Sequence, residues 1–226
     1  MKDSLEHYTL HQRIYFKIRE LIESGDLLPG TQLDERTLAS RLSVSRTPLR
    51  EAIATLVEEG LVERRPYRGN FVKVFTAKQI SDLYEVRKTL EGLATRLAIS
   101  QLSDEDLAQL RQVLDEAQGA LEREDIAGYS MADQRFHTLI THLSANQILI
   151  EMLDRLQRKI HIVRIRANRD PQVVKRTAFE RPRILAALEA RNAELAERLM
   201  VEHIEGVQRD VVAQIEATEA TAGNSM

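Results

Sequence analysis

From Ala77 to Glu219 the apolar residues recur at every third or fourth position, and no stretch alternates convincingly with the two-residue rhythm of a strand. That periodicity confines most of the chain to helices packed as an antiparallel bundle. Ile80, Leu83, Val86, Leu90, Leu93, Ala94 and Leu97 form one predicted stripe. Leu107, Leu110, Leu114, Ala117 and Leu121 form a second, opened by Ser103 and Asp106 as a capping box. Further helices are predicted over about 126–143, 147–167, 173–191 and 193–219, with breaks near Asn146, Pro171 and Asn192. The last residues, 221–226, are small and polar and are expected to fray.

The first 76 residues are punctuated differently, with Gly and Pro clustered there. A helix from Leu10 to Ile22 is stopped by Ser24-Gly25-Asp26 and Pro29-Gly30, and a second runs from about Asp34, its N-cap, to Leu42. Ser43-Val44 reads as a turn. Ser45 then caps a third helix that carries Pro48 in its first turn, buries Leu49, Ile53, Leu56 and Val57, and ends at Gly60. Leu61–Arg64 and Asn70–Val74 read as short strands around a turn at Pro66-Tyr67-Arg68-Gly69. Three helices and a basic hairpin make a winged helix-turn-helix. The expected fold is therefore mainly α: a winged helix-turn-helix with a small β-hairpin wing over 1–76, an all-helical bundle over 77–220, and a tail over 221–226.

Composition narrows the chemistry. With 43% apolar and 30% charged residues among 226, the chain has the balance of a folded globular protein. It contains no cysteine, which excludes a disulfide framework, thiolate metal sites and a cysteine nucleophile. No apolar run is long enough to cross a bilayer, and the opening Met1-Lys2-Asp3-Ser4-Leu5-Glu6 lacks a signal-peptide core, so a cytoplasmic protein is expected. The net charge of −3 hides an asymmetry: residues 1–76 carry +1 and the remainder −4. Between Arg36 and Lys73, eight basic residues face four acidic ones. Such a basic stretch inside an acidic chain is the electrostatic footprint expected of a phosphate-contacting surface.

The start of the third helix carries the residues best suited to reading duplex DNA. In a helix-turn-helix this end enters the major groove, where Arg donates bidentately to guanine. Arg46 is assigned to base reading and Arg50, on the same face, to base and phosphate. Ser45 and Thr47 sit where hydroxyl and backbone N–H groups meet phosphate. Arg36 is expected to clamp the backbone, and Arg68 with Gly69 to reach the minor groove from the wing tip. The alternative is that these are ordinary solvated charges on a winged helix used for protein contacts.

These same stretches, Leu28-Pro29-Gly30-Thr31-Gln32-Leu33, Ser45-Arg46-Thr47-Pro48-Leu49-Arg50-Glu51-Ala52, Leu56 to Leu61 and Arg68-Gly69-Asn70-Phe71-Val72, closely resemble the DNA-binding domain of GntR-family bacterial transcription regulators. The second region resembles the helical ligand-binding domain of the FadR subfamily through Leu83-Tyr84-Glu85-Val86-Arg87 with Leu90-Glu91, Asp133-Gln134-Arg135-Phe136-His137, and Ala196 to Ile204. The resemblance implies a homodimer, a palindromic double-stranded DNA operator and a small organic acid or related metabolite as effector. A repressor is the expected sign of regulation.

Asp133 and His137, four apart, can point from one helix into the same cavity. The resemblance implies a divalent metal there, such as zinc or nickel, held by Asp133, His137, His203 and one further histidine. That histidine is missing: Glu180-Arg181 stands ahead of Ile184-Leu185-Ala186-Ala187-Leu188. Arg181 has no lone pair and cannot ligate a metal. In one reading Asp133, His137 and His203 hold a metal with an open position. In the other, preferred because a fixed positive charge opposes a cation, Arg181 clamps an effector carboxylate directly, with Arg87 as a second clamp. A metal-dependent enzyme using Asp133, His137 and His203 is the competing function, and a helical interaction module is a third.

Overall fold

The computed structural model describes residues 8–223; residues 1–7, which hold the charged opening stretch, and 224–226 of the tail lie outside the described ones. The chain divides between Val74 and Phe75 into two units. The first comprises helices α1 (Leu10–Glu23), α2 (Glu35–Leu42) and α3 (Arg46–Glu58), followed by strands β1 (Val62–Arg65) and β2 (Gly69–Val72). Ile14, Ile18, Leu21 and Ile22 bury one face of α1, and α1 packs on α3, whose Leu49, Ile53 and Leu56 are fully inside. Val57, expected in that core, is half-buried.

Local chemistry sets the turn between α2 and α3. The Asp34 carboxylate accepts the Thr37 N–H at 2.7 Å and caps α2. Ser43 then takes a left-handed conformation at φ 54°, which ends α2 and starts the chain back toward α3. The wing is an antiparallel pair with Val62 opposite Val72 and Arg65 opposite Gly69. Gly69, at φ 103°, takes a backbone conformation that L side chains resist. The segment before α2 also joins the wing, a link the sequence did not disclose. Leu33 N–H donates to the Asn70 carbonyl at 2.8 Å, Gly30 N–H to the Val72 carbonyl at 2.9 Å, and the Gln32 side-chain amide to the Arg68 carbonyl at 2.9 Å.

The second unit holds α4 (Ala77–Ala98), α5 (Asp104–Glu122), α6 (Ile126–Leu143), α7 (Gln147–Ala167), α8 (Pro171–Glu189) and α9 (Ala193–Gly223). Thr76 with Gln79 and Ser103 with Asp106 form capping boxes that start α4 and α5. Helix α4 packs along α9 and also meets α6 and α7; α5 packs on α6 and α8, and α8 on α9. Helix α8 starts at Pro171 behind the Asp170 cap and continues through Pro182. Helix α9 runs to Gly223, so residues 221–223, expected to fray, are helical.

The stripe expected on α4 needs correction. Val86 is 47% exposed, and Leu83, Leu90, Leu93 and Leu97 are half-buried. The most buried face is Ile80, Tyr84, Arg87, Glu91, Ala94, Thr95 and Ala98. Apolar spacing found Ile80 and Ala94 of that face and missed the rest, because half of it is polar. Ile80→Ala should therefore cost about 2–5 kcal/mol, whereas Val86→Ala should stay within about 0.5 kcal/mol; chemical denaturation of the two variants checks that Ile80 is packed and Val86 is not.

Candidate functional site

In the first unit, the exposed start of α3 presents Ser45, Arg46 and Thr47 together. Ser45 stands exposed at the N-cap position, and its hydroxyl makes no cap hydrogen bond. Arg36, in the first turn of α2, is exposed, as are Arg50 and, at the wing tip, Arg68 and Gly69. The charges differ in their freedom. Arg50 Nε donates to Glu35 Oε2 at 2.6 Å, so this guanidinium also ties α3 to α2. In the wing, Glu63 binds both Arg65 and Lys73, and the Arg65 guanidinium lies 4.4 Å over the Phe71 ring. Arg36, Arg46 and Arg68 make no ion pair among the described residues and stand exposed.

In the second unit, Arg87, Asp133, His137, Arg181 and His203 are brought together and buried. Asp133 is the hub. Its Oδ1 accepts from Arg181 Nη1 at 2.8 Å and its Oδ2 from Arg164 Nε at 2.5 Å. Glu91 is a second acceptor, taking Arg87 Nε at 2.7 Å and His137 Nδ1 at 2.5 Å. His203 Nδ1 bonds Glu180 Oε2 at 2.7 Å, and its ring stacks on that of His137 with centroids 5.4 Å apart. Arg181 is engaged on all sides: Nε donates to the Thr177 carbonyl at 3.2 Å, Nη2 to the Tyr129 hydroxyl, and the guanidinium lies 4.7 Å over the Tyr129 ring.

Burial and pairing compete for each charge. Burial pushes Asp133 up, but Arg164 and Arg181 hold it well below the ordinary carboxylate range. Glu91 is likewise raised by burial and held low by Arg87 and His137. Burial pushes His137 down to about 4 against the attraction of Glu91, and His203 is lowered for the same reason against Glu180. Both imidazoles are thus neutral near pH 7, donating Nδ1–H to a carboxylate.

The candidate ligand atoms of Asp133, His137 and His203 lie within 4.8 Å of one another, close enough to converge on one ion. Their surroundings do not suit a cation. Both Asp133 oxygens are bonded to guanidinium groups, and Arg87 Nη2 stands 3.4 Å from His137 Nε2. Permanent cations bonded to both oxygens of the candidate carboxylate ligand would oppose a divalent metal.

Sequence reasoning assigned no role to Arg164, Glu91, Tyr84, Tyr129 or Thr177. Glu91 carried a signal, standing four residues after Arg87 on one helix face. Arg164 stands between Ile162-Val163 and Ile165, a position where a charge needs a buried partner.

Comparison with known proteins agrees with both units. Residues 10–72 match the family described as bacterial regulatory proteins, gntR family, and residues 82–206 match the FCD domain. The chain belongs to the GntR family of bacterial regulators, carries an FCD domain, and is a DNA-binding transcription regulator. It is 29% identical over 205 residues to the HTH-type transcriptional repressor RspR of Escherichia coli, covering 89% of each chain. It is 30% identical over 214 residues to the HTH-type transcriptional regulator LutR of Bacillus subtilis, covering 83% of this chain and 94% of LutR. Among solved structures, E. coli McbR/YncC superposes with a TM-score of 0.78 at 26% identity, covering 92% and 99% of the two chains. A GntR regulator from Rhodococcus sp. RHA1 gives 0.79 at 27% identity, covering 90% and 97%. These relatives are regulators rather than enzymes, which sets aside the enzymatic alternative. No helix among the described residues is long and apolar enough to cross a membrane.

Two outcomes follow for the cluster. Glu91→Gln leaves the buried Arg87 cation without its carboxylate and should destabilise the protein by about 3–5 kcal/mol in chemical denaturation. His137 binds a proton more readily unfolded than folded, so stability present above its unfolded value near 6.5 should be lost as pH falls toward about 4. The slope from this residue should reach at most about 1.4 kcal/mol per pH unit. Equilibrium unfolding across that window, with His137→Gln flattening the slope, is the check.

Proposed function

We propose that this regulator acts in the bacterial cytoplasm as a homodimeric repressor that binds a palindromic operator and changes its operator affinity when a small organic acid enters the helical unit. The observation that carries the DNA half is the exposed first turn of α3, where Arg46 stands unpaired between Ser45 and Thr47. Arg46 reads a base edge in the major groove, Arg50 shares its guanidinium between Glu35 and the DNA, and Ser45 and Thr47 hold phosphates at the helix N-terminus. Arg36 clamps the backbone, and Arg68 with Gly69 enters the minor groove. Repression is adopted as the sign because the similar E. coli protein RspR is named a repressor.

In the helical unit, Arg87, Asp133, His137, Arg181 and His203 form the effector site, and the buried guanidinium groups of Arg87 and Arg181 support an acidic ligand there. The ligand shifts DNA affinity only insofar as it binds the DNA-competent and incompetent arrangements differently.

Arg46→Ala should cost about 1–3 kcal/mol of operator affinity and relax specificity at one base pair, whereas Arg36→Ala should weaken all sequences alike and flatten the salt dependence. Fluorescence anisotropy on the operator and single-base variants, across a salt series, reads both. Equal losses for Arg46→Ala on every duplex would reduce Arg46 to a phosphate contact.

A further inference from the structure

The tip of the wing carries an aromatic side chain that neither the fold nor the DNA contacts above use. Arg68 N–H donates to the Arg65 carbonyl at 3.0 Å, so Arg65-Pro66-Tyr67-Arg68 closes a four-residue turn. Pro66 stands second, where its ring fixes a negative φ, and Tyr67 stands third at φ 61°. Proline second and a positive φ third define a type II turn, whose third place normally goes to glycine or asparagine. A bulky L side chain there crowds its own backbone and is a rare occupant.

Nothing in the unit compensates this strain. Tyr67 is fully exposed, more than any other large apolar side chain among the described residues, and makes no hydrogen bond or ring contact among them. The turn that carries it is nevertheless braced. The Gln32 side-chain amide donates to the Arg68 carbonyl at 2.9 Å, and Arg65 is tied to Glu63 and lies over the Phe71 ring. Strain that the surroundings hold in place, while the side chain faces solvent, marks a contact residue rather than a packing one.

Charge and shape select the partner. From Val62 to Val72 the hairpin holds Arg64, Arg65 and Arg68, and its one acid, Glu63, is already bound to Arg65 and Lys73. That surface suits a polyanion. The phenol itself is uncharged, and its apolar ring suits the sugar walls of a narrow groove, where apolar side chains act as wedges.

We propose, resting on the reading that the wing tip enters the minor groove, that Tyr67 is a further DNA-contacting residue: its ring enters beside Arg68 and wedges against the groove walls, and the strained turn presents it there.

The chain has no tryptophan, so Tyr67→Trp places a single reporter at the tip. The probe is a duplex selected from a random library by the full-length wild-type protein. Binding of that duplex should shield the tryptophan from acrylamide quenching. Tyr67→Gly separates contact from fold: with the strain removed, its denaturation midpoint should be unchanged or raised. It should nevertheless bind the selected duplex at least about fivefold more weakly, with the salt slope of wild type because no charge is lost. Arg68→Ala should instead flatten that slope. Three results each overturn the proposal: duplex affinity of Tyr67→Gly within about twofold of wild type, a lowered midpoint for Tyr67→Gly, or a tryptophan equally open to acrylamide with and without duplex. Any of these together with a flattened slope for Arg68→Ala leaves the wing reading standing without the tyrosine. A shielded tryptophan and weak binding by Tyr67→Gly, with Arg68→Ala unchanged in affinity and slope, would do the reverse.

Discussion

A single buried carboxylate organises the helical unit. Asp133 on α6 is bonded at once by Arg164 from α7 and Arg181 from α8, so three helices share one acceptor group. Glu91 repeats the device, binding Arg87 on its own helix α4 and His137 on α6, while Glu180 joins α8 to His203 on α9. Charges taken out of water are tolerated only when paired and hydrogen-bonded, so the relative positions of these helices are coupled to the completeness of the network. A ligand that adds or removes one partner changes the balance at every helix the network touches.

The two units treat arginine in opposite ways. In the first, Arg36, Arg46 and Arg68 are exposed and make no ion pair among the described residues, an arrangement whose energy is realised when a polyanion displaces water and counterions. In the second, Arg87, Arg164 and Arg181 are buried and held, and only Arg164 keeps donors free. Surface guanidinium groups suit a large, uniformly charged partner, whereas the buried ones are engaged with carboxylates inside the bundle. This division follows from solvation rather than from residue type.

Most of the architecture was legible in the sequence because its signals are local. Ser103 and Asp106 cap α5, Asp34 caps α2, and α6 and α7 span Ile126–Leu143 and Gln147–Ala167 as apolar spacing and break residues required. The start of α3 was legible for the same reason, since Ser45 and Pro48 mark a helix beginning. The buried face of α4 was not, because hydrophobic periodicity is blind to a face built from Tyr84, Arg87 and Glu91. Arg164 was missed because a charge within an apolar run reveals nothing about partners on helices distant in sequence. Arg181 was noticed for what it cannot do, ligate a metal. That its donors are already taken by Asp133, Tyr129 and Thr177 is a tertiary fact. The pairing of Gly30 and Leu33 with the wing is likewise long-range.

The central claim is that a small acid bound inside one unit and a duplex bound by the other are thermodynamically coupled in one chain. Reciprocity tests it most directly: the affinity of the effector acid is measured by calorimetry on free protein and on protein saturated with operator. The account predicts a different acid affinity for the DNA-bound form, changed by the same factor by which the acid changes operator affinity. Identical acid affinity in the presence and absence of operator would contradict it.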